Sequence, residues 1–447
     1  MQLSIETNFK SELPTRLDAL EKRILDRSAS LGVIGLGYAG LPLAIEMARQ
    51  GYRVTGIDID GRRVASVNSG ISYIPDVSEK DLFEMITKRQ LRATQSFSAV
   101  ESLDTISICV PTPLRKTKDP DLSYIVAAAE AIRAHLLPGK LVILESTTYP
   151  GTTREVVLPI LEKSGLTAGE DFFLAYSPER VDPGNKVYTT RNIPKVIGGI
   201  TAQGTALATL LFQQFIDRVV ALSSVECAEM VKLLENTFRS VNIALANEFA
   251  RMCNNFGINV WEIIDAAKSK PFGFMPFYPG PGLGGTQLPI GTQFLSWKAR
   301  LNGFEPRLIE IAATINAQMP EFTIGRVADA LNTHKKCING SRILALGVTY
   351  KRDVADTRES AALEVVAGLM DKGAAVCYAD PYISRLEIGG RDLASTEVNP
   401  ILLQSVDCVV ILTDHSSFDY AMVASHSPLI LDCRNALKNF SNSKVLL

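Results

Sequence analysis

Short apolar runs alternate with amphipathic stretches along most of the chain. LGVIGLG reads as a strand, YAGLPLAIEMARQG as a helix stopping at Gly51, and YRVTGIDID as the next strand. TISICV, LVILEST and FFLAYS are further short apolar runs separated by helical segments. That alternation predicts a parallel sheet with helices on both faces. Between 224 and 258 the pattern changes. SVECAEMVKLLENTFRSVNIALANEFARMCNNFG holds neither Pro nor Gly before Gly257 and carries apolar residues at helical spacing, which predicts one long connecting helix. The strand–helix rhythm resumes at SRILALGVTYK and continues through AAVCYADPY, CVVILTD and LILDCRN. The expected fold class is therefore α/β, two doubly wound Rossmann-like domains joined by a long central helix. The expected boundaries are a helical lead over 1–29, a first α/β domain over 30–212, a helical middle over 213–325 and a second α/β domain over 326–447.

Composition narrows the classes. A chain of 447 residues is too long for one ordinary core. Hydrophobic residues make up 46% and charged residues 21%, as in soluble globular proteins. The formal net charge is −2 with no long basic run, which argues against a nucleic-acid partner. No window reaches the ~18 continuous apolar residues of a membrane span, and the charged N-terminus lacks the apolar core of a signal peptide. A cytoplasmic protein without a membrane partner is expected. The seven cysteines are scattered, mostly in apolar stretches, and read as buried reduced thiols. No His, Cys or carboxylate pair has metal-ligand spacing, so no metal is predicted. His415, at a strand end, reads as part of a structural turn.

Gly35-Leu-Gly37-Tyr-Ala-Gly40 follows a strand and opens a helix, and the next strand ends at Asp58, 18 residues after Gly40. Gly35 allows a tight turn, Gly37 lets backbone approach a pyrophosphate, and Gly40 permits close helix packing. The helix N-terminus adds amides and the positive end of its dipole. Asp58 can accept from both ribose hydroxyls and would repel a 2′-phosphate, so NAD is expected rather than NADP.

Three polar segments, VPTPL, ESTTYPGTT and YSPERVDPG, each follow an apolar strand and place Thr112, Glu145 and Glu179 where ligands of open α/β sheets bind. Lys232 and Asn236 stand at i and i+4 on one face of the long helix. Spacing alone leaves two readings open for them, a catalytic pair or a solvated Lys with a capping Asn.

As a set, these residues resemble the UDP-glucose/GDP-mannose dehydrogenase family. The resemblance rests on GLGYAGLPLA, VPTPL with PDLSYI, ESTTYPGTT, SPERVDPG, PKVIGG, AEMVKLLENTFRSVNIALANE, FGFMPFYPGPGLGG, LGVTYKRDVADTRES and DPYI, in order over about 30–435. The PTPL, PDLSYI, YPGPGLGG and WKAR versions are similar to the branch acting on UDP-N-acetylglucosamine and UDP-N-acetylmannosamine. The resemblance implies an NAD domain, a central dimerisation domain, a C-terminal UDP-sugar domain and a homodimer that oxidises the sugar C6 alcohol to a carboxylate with two NAD. It implies that Tyr38, Ala39, Arg63, Pro111, Thr112, Glu145 and Arg358 join Gly35, Gly37, Gly40 and Asp58 in holding the cofactor. Glu179, Arg180, Lys232, Asn236, Tyr278, Gly284, Lys351 and Arg434 would hold the UDP-sugar, Lys351 at the diphosphate. Thr112, Glu179, Lys232 and Asn236 would position or activate water or stabilise an oxyanion, and Glu145 would lie beside the nicotinamide.

One loop departs from that pattern. The family reads Gly-Gly-x-Cys-x-Pro-x-Asp; this chain reads Gly284-Gly285-Thr286-Gln287-Leu288-Pro289-Ile290-Gly291, without a gap. Gln287 stands in the nucleophile's place and Gly291 in the carboxylate's. A carboxamide cannot form the covalent adduct that oxidation of an aldehyde requires. The expected activity is one reversible hydride step, a two-electron oxidation or a redox-neutral epimerisation. An acid-forming dehydrogenase using a water adduct and a non-catalytic binder of NAD and UDP-sugar are the alternatives.

Overall fold

The computed structural model describes residues 13–74, 77–115, 119–182, 184, 185, 187–285, 287–440, 445 and 446. The chain divides into two compact units, residues 1–234 with 293–298, and residues 235–292 with 299–447.

The first unit is built on an eight-stranded sheet. Its strands are β1 (Ser30–Ile34), β2 (Arg53–Ile57), β3 (Leu91–Thr94), β4 (Thr105–Ile108), β5 (Leu141–Leu144), β6 (Phe173–Tyr176), β7 (Lys195–Gly199) and β8 (Val219–Ala221), ordered β3-β2-β1-β4-β5-β6-β7-β8. The first six follow the dinucleotide-binding order, whose direction switches between β1 and β4. Every residue of β4, β5 and β6 is buried, as expected for central strands covered on both faces. One apolar cluster covers one face through Leu41, Ala44, Leu211 and Phe212; a second covers the other through Ile125, Ile132, Val157 and Leu161. The lead helix Leu13–Leu25 buries Leu20 and Ile24 in the first of these. The sheet is not wholly parallel, because β7 runs antiparallel to β6, with Tyr176 opposite Gly198 and Ala175 opposite Gly199.

The long helix runs over Val225–Phe256, 32 residues, and ends before Gly257, whose φ is +66°. The second unit carries a five-stranded parallel sheet of β9 (Arg342–Leu346), β10 (Ala375–Ala379), β13 (Cys408–Ile411), β14 (Ile430–Asp432) and β15 (Val445–Leu446), ordered β10-β9-β13-β14-β15. Counted from β9 this is the flavodoxin-like order, with its switch point between β9 and β13. A hairpin not read from the sequence pattern, β11 (Arg385–Ile388) with β12 (Arg391–Ala394), turns through Gly389 and Gly390. The thiols are less uniformly buried than expected. All seven cysteines are free; Cys109, Cys253 and Cys408 are buried, but Cys227 and Cys337 are exposed. No helix among the described residues is long and apolar enough to cross a membrane, and no metal-holding cluster is found among them.

Candidate active site

In the first unit, the Gly-rich turn lies at the switch point, between the ends of β1 and β4. Gly35 has φ +90°, and a Cβ there would stand 2.8 Å from the Cys109 carbonyl oxygen, so only glycine fits the turn. A Cβ on Gly40 would fall within the Gly35 carbonyl, which keeps the helix Gly40–Arg49 tight against the turn. Nothing lies within 4 Å of the corresponding position on Gly37. No side chain caps that helix; Ala39 is its N-cap. An open glycine face beside uncapped helical amides suits a pyrophosphate. Asp58 is 5% exposed; its Oδ2 accepts from the Leu36 amide at 2.8 Å and its Oδ1 from the Asp60 amide. Arg63 reaches the same carboxylate at 3.4 Å, and Tyr38 is exposed. Asp58 therefore also braces the turn, a role beyond the ribose contact expected of it.

Beyond β4, Pro111 is exposed and Thr112 half-buried. Glu145 directly follows β5 and is 2% exposed. Its Oε2 accepts from Lys195 Nζ at 2.5 Å. Ser107 Oγ and Glu145 Oε1 are buried without a hydrogen bond of ordinary geometry, although the Ser107 hydroxyl is near enough to favour the ionised carboxyl. Burial still pushes Glu145 above the usual carboxylate range. Glu179 Oε1 accepts from the amides of Arg180 and Val181, each at 2.7 Å, and its Oε2 stands 3.9 Å from Lys195 Nζ. The Arg180 guanidinium donates to the Pro194 carbonyl. Lys232, on the long helix, is 4% exposed. One turn earlier, Glu229 accepts from the amides of Gly151 and Thr153 and from the Thr153 hydroxyl, tying the ESTTYPGTT loop to the helix. Burial lifts this carboxyl to about 7 in spite of its three donors. Sequence reasoning brought Glu145, Glu179 and Lys232 forward but missed Lys195 and Glu229.

In the second unit, Asn236 is 7% exposed on the long helix, and a Cβ on Gly291 would stand 2.6 Å from its Nδ2. Gly291 therefore leaves room for this amide. Gln287 begins the helix Gln287–Leu301; its side chain and all of Thr286 lie outside the described residues. The preceding loop is seated on Tyr350. Cβ atoms on Gly284 and Gly285 would come within 2.5 Å and 2.8 Å of that side chain, and Gly285, at φ +78°, donates its amide to the Arg358 carbonyl. Such density of Pro and Gly lets the loop lie flat against an aromatic ring. The Arg358 guanidinium is held by both carboxylate oxygens of Asp356. Tyr278 donates to Asp265 at 2.8 Å and stacks on Trp261.

At the second switch point, the loop after β9 carries Lys351 between Thr349 and Asp353. Buried His415 braces it, with Nε2 3.1 Å from Thr349 Oγ1 and 3.0 Å from Asp380 Oδ2. Its Nδ1 accepts the Asp353 amide at 3.0 Å, which assigns the proton to Nε2. The structural turn expected there is thus centred on the imidazole. Arg434, beyond β14, donates through Nε to the Leu412 carbonyl, and burial pulls its pKa down. Next to it, Trp261, Met319, Phe322, Arg326 and Asp432 line a cavity of about 330 Å³.

The profile of the UDP-glucose/GDP-mannose dehydrogenase family matches in three parts: its NAD binding domain over 29–216, its central domain over 226–318 and its UDP binding domain over 344–439. The chain belongs to the UDP-glucose/GDP-mannose dehydrogenase family. It is 37% identical over 419 residues to the UDP-N-acetyl-D-mannosamine dehydrogenase of Pyrococcus horikoshii, covering 91% of this chain and 96% of that one. It is 34% identical to the UDP-N-acetyl-D-glucosamine 6-dehydrogenase of Pseudomonas aeruginosa, covering 88% and 92% respectively. The solved structure of the P. horikoshii UDP-D-ManNAc dehydrogenase superposes with a TM-score of 0.85 at 35% identity, over 93% of this chain and 98% of that one. The first sheet and its Gly-rich turn are thus the family's NAD binding domain, and the second sheet is its UDP binding domain.

Proposed function

We propose that the protein is an NAD-dependent oxidoreductase of a UDP-hexose or UDP-N-acetylhexosamine that carries out a single reversible hydride step. The observation behind this reading is the loop in which Gln287 and Gly291 replace the family's Cys and Asp. Residues Gly35–Gly40 with Asp58 would hold NAD, which supplies a hydride acceptor. Lys232 and Asn236 stabilise the developing alkoxide or polarise the carbonyl formed from it. Glu179 acts as base, Thr112 orients the reacting hydroxyl or water, and Gln287 donates to a sugar hydroxyl. Lys351 meets the diphosphate, and Arg434 lies near the substrate.

An aldehyde becomes an acid only through a tetrahedral adduct, which a thiol supplies. The lone pair of a carboxamide nitrogen is delocalised, so Gln287 forms no such adduct. The reaction then ends at an aldehyde or ketone, or a ring ketone is reduced again from its other face to give an epimer. The names of the relatives support a second reading, an acid-forming UDP-N-acetylhexosamine 6-dehydrogenase in which Glu179 raises a water adduct in place of the thiol. A homodimer fits the exposed apolar side chains of the second unit, among them Phe238, Leu245, Phe249, Phe256, Phe304 and Leu308.

The test is to incubate the protein with NAD and UDP-glucose, UDP-N-acetylglucosamine or UDP-N-acetylmannosamine, following NADH by absorbance and the product by mass. A new isomer, or a product two hydrogens lighter, supports the single step. A uronate formed at the rate of first turnover selects the second reading.

A further inference from the structure

The reversal of β7 has a chemical consequence. In an all-parallel sheet, the first residue of a strand lies at the edge away from the ligands. Because β7 is antiparallel to β6, Lys195, three residues before the Gly198 that pairs with Tyr176, lies toward the carboxyl edge of β6. Lys195 Nζ stands 2.5 Å from Glu145 and 3.9 Å from Glu179 and lies over the Phe212 ring at 4.8 Å. The side chains of Lys195, Glu145 and Glu179 are 7%, 1% and 13% exposed.

We propose that Lys195 is a positioning residue for this reaction, its ammonium holding Glu145 and Glu179 side by side and keeping Glu179 available as a base. This rests on the reading of Glu179 as the base. Two carboxylates so near each other in a buried site cannot both stay ionised without a cation between them. The groups facing Lys195 are Glu145 beyond β5, Glu179 beyond β6 and the Cys109 thiol beyond β4; on α-helical Phe212 it meets only a ring. Burial holds Cys109 well above its ordinary value, so it stays a neutral thiol. Burial by itself would lower Lys195, but Glu145 and Glu179 outweigh it and the ammonium remains charged.

The experiment compares wild type with Lys195→Met, Lys195→Arg and Lys195→Met/Glu145→Gln. It reads the pH profile of NADH formation in the first turnover and, independently of turnover, the infrared band of protonated carboxyl groups. In Lys195→Met, the acid limb and the carboxyl band both move at least one pH unit upward, and the neutral-pH rate falls about tenfold or more, the size expected when an opposite charge this close is removed. Lys195→Arg keeps the wild-type limb. The double variant, which buries no unmatched carboxylate pair and guards against misfolding of Lys195→Met, returns the limb toward wild type. An unshifted limb and band in Lys195→Met, or a uniform loss that Glu145→Gln does not relieve, overturns the proposal. If Glu179→Gln retains the wild-type limb, the base has been misassigned, and the carboxyl band alone then decides the role of Lys195.

Discussion

Glu229 makes folding of the first unit sensitive to pH. Its carboxyl is fully buried beneath the 149–153 loop and is lifted by burial from 4.5 to about 7. A folded-state pKa above the unfolded one means that the folded protein holds the proton more tightly. The resulting stability is complete below about pH 4.5 and is lost as the pH rises toward 7. At about 1.4 kcal/mol per pH unit, the full loss amounts to about 3.5 kcal/mol. Urea unfolding of wild type and Glu229→Gln at pH 5 and pH 8 isolates this group. Wild type should lose about 2.5 kcal/mol more than the variant between the two pH values. Glu229→Ala removes the acceptor of two amides and a hydroxyl and should cost about 2–4 kcal/mol at pH 8 and about 2.5 kcal/mol more at pH 5, where the wild type gains from its tighter-held proton. Equal pH dependence in wild type and Glu229→Gln would refute this reasoning.

The two glycines of the NAD turn should separate. Gly40→Ala meets the Gly35 carbonyl and should cost about 1–3 kcal/mol of stability, whereas Gly37→Ala should leave the melting temperature unchanged and weaken NAD in a calorimetric titration. His415→Ala frees Thr349 and the Asp353 amide; it should weaken UDP binding by about tenfold or more, the value of one to two buried hydrogen bonds, and an unchanged Kd would show that the imidazole does not brace the Lys351 loop. Gln287→Cys with Gly291→Asp should create or raise uronate formation, measured by mass, since the thiol supplies the missing nucleophile and the carboxylate the missing charge, with the Asn236 amide turning aside from a Cβ that would otherwise stand 2.6 Å from its Nδ2; Gln287→Cys by itself should give less.

Features with strong local grammar were legible in the sequence. The Gly-rich turn, Asp58 at the end of β2 and the 32-residue helix follow from glycine spacing and apolar period, which depend on neighbours a few residues apart. The order and direction of strands are not local properties. β7 carries no signal that it runs backward, and PKVIGG stands in the sequence only as one motif of the family resemblance, so Lys195 is not marked out there. Glu229 shares its helix with Lys232, but nothing in an amphipathic period tells a buried carboxylate from a solvated one until the loop that donates to it is in place. His415 was legible as a turn residue, while its tautomer depended on Asp353 and Asp380, distant in sequence. The loop at Gln287 was readable for the opposite reason: its register is continuous, so the replaced side chains stand out against intact glycines and proline.

The central claim is that a carboxamide in the nucleophile's place limits the chemistry to one hydride step. Counting NADH released per UDP-N-acetylhexosamine consumed, with the product's mass recorded in the same sample, tests it most directly. The ratio should be one or less with no uronate; rapid formation of uronate with two NADH per sugar would contradict it.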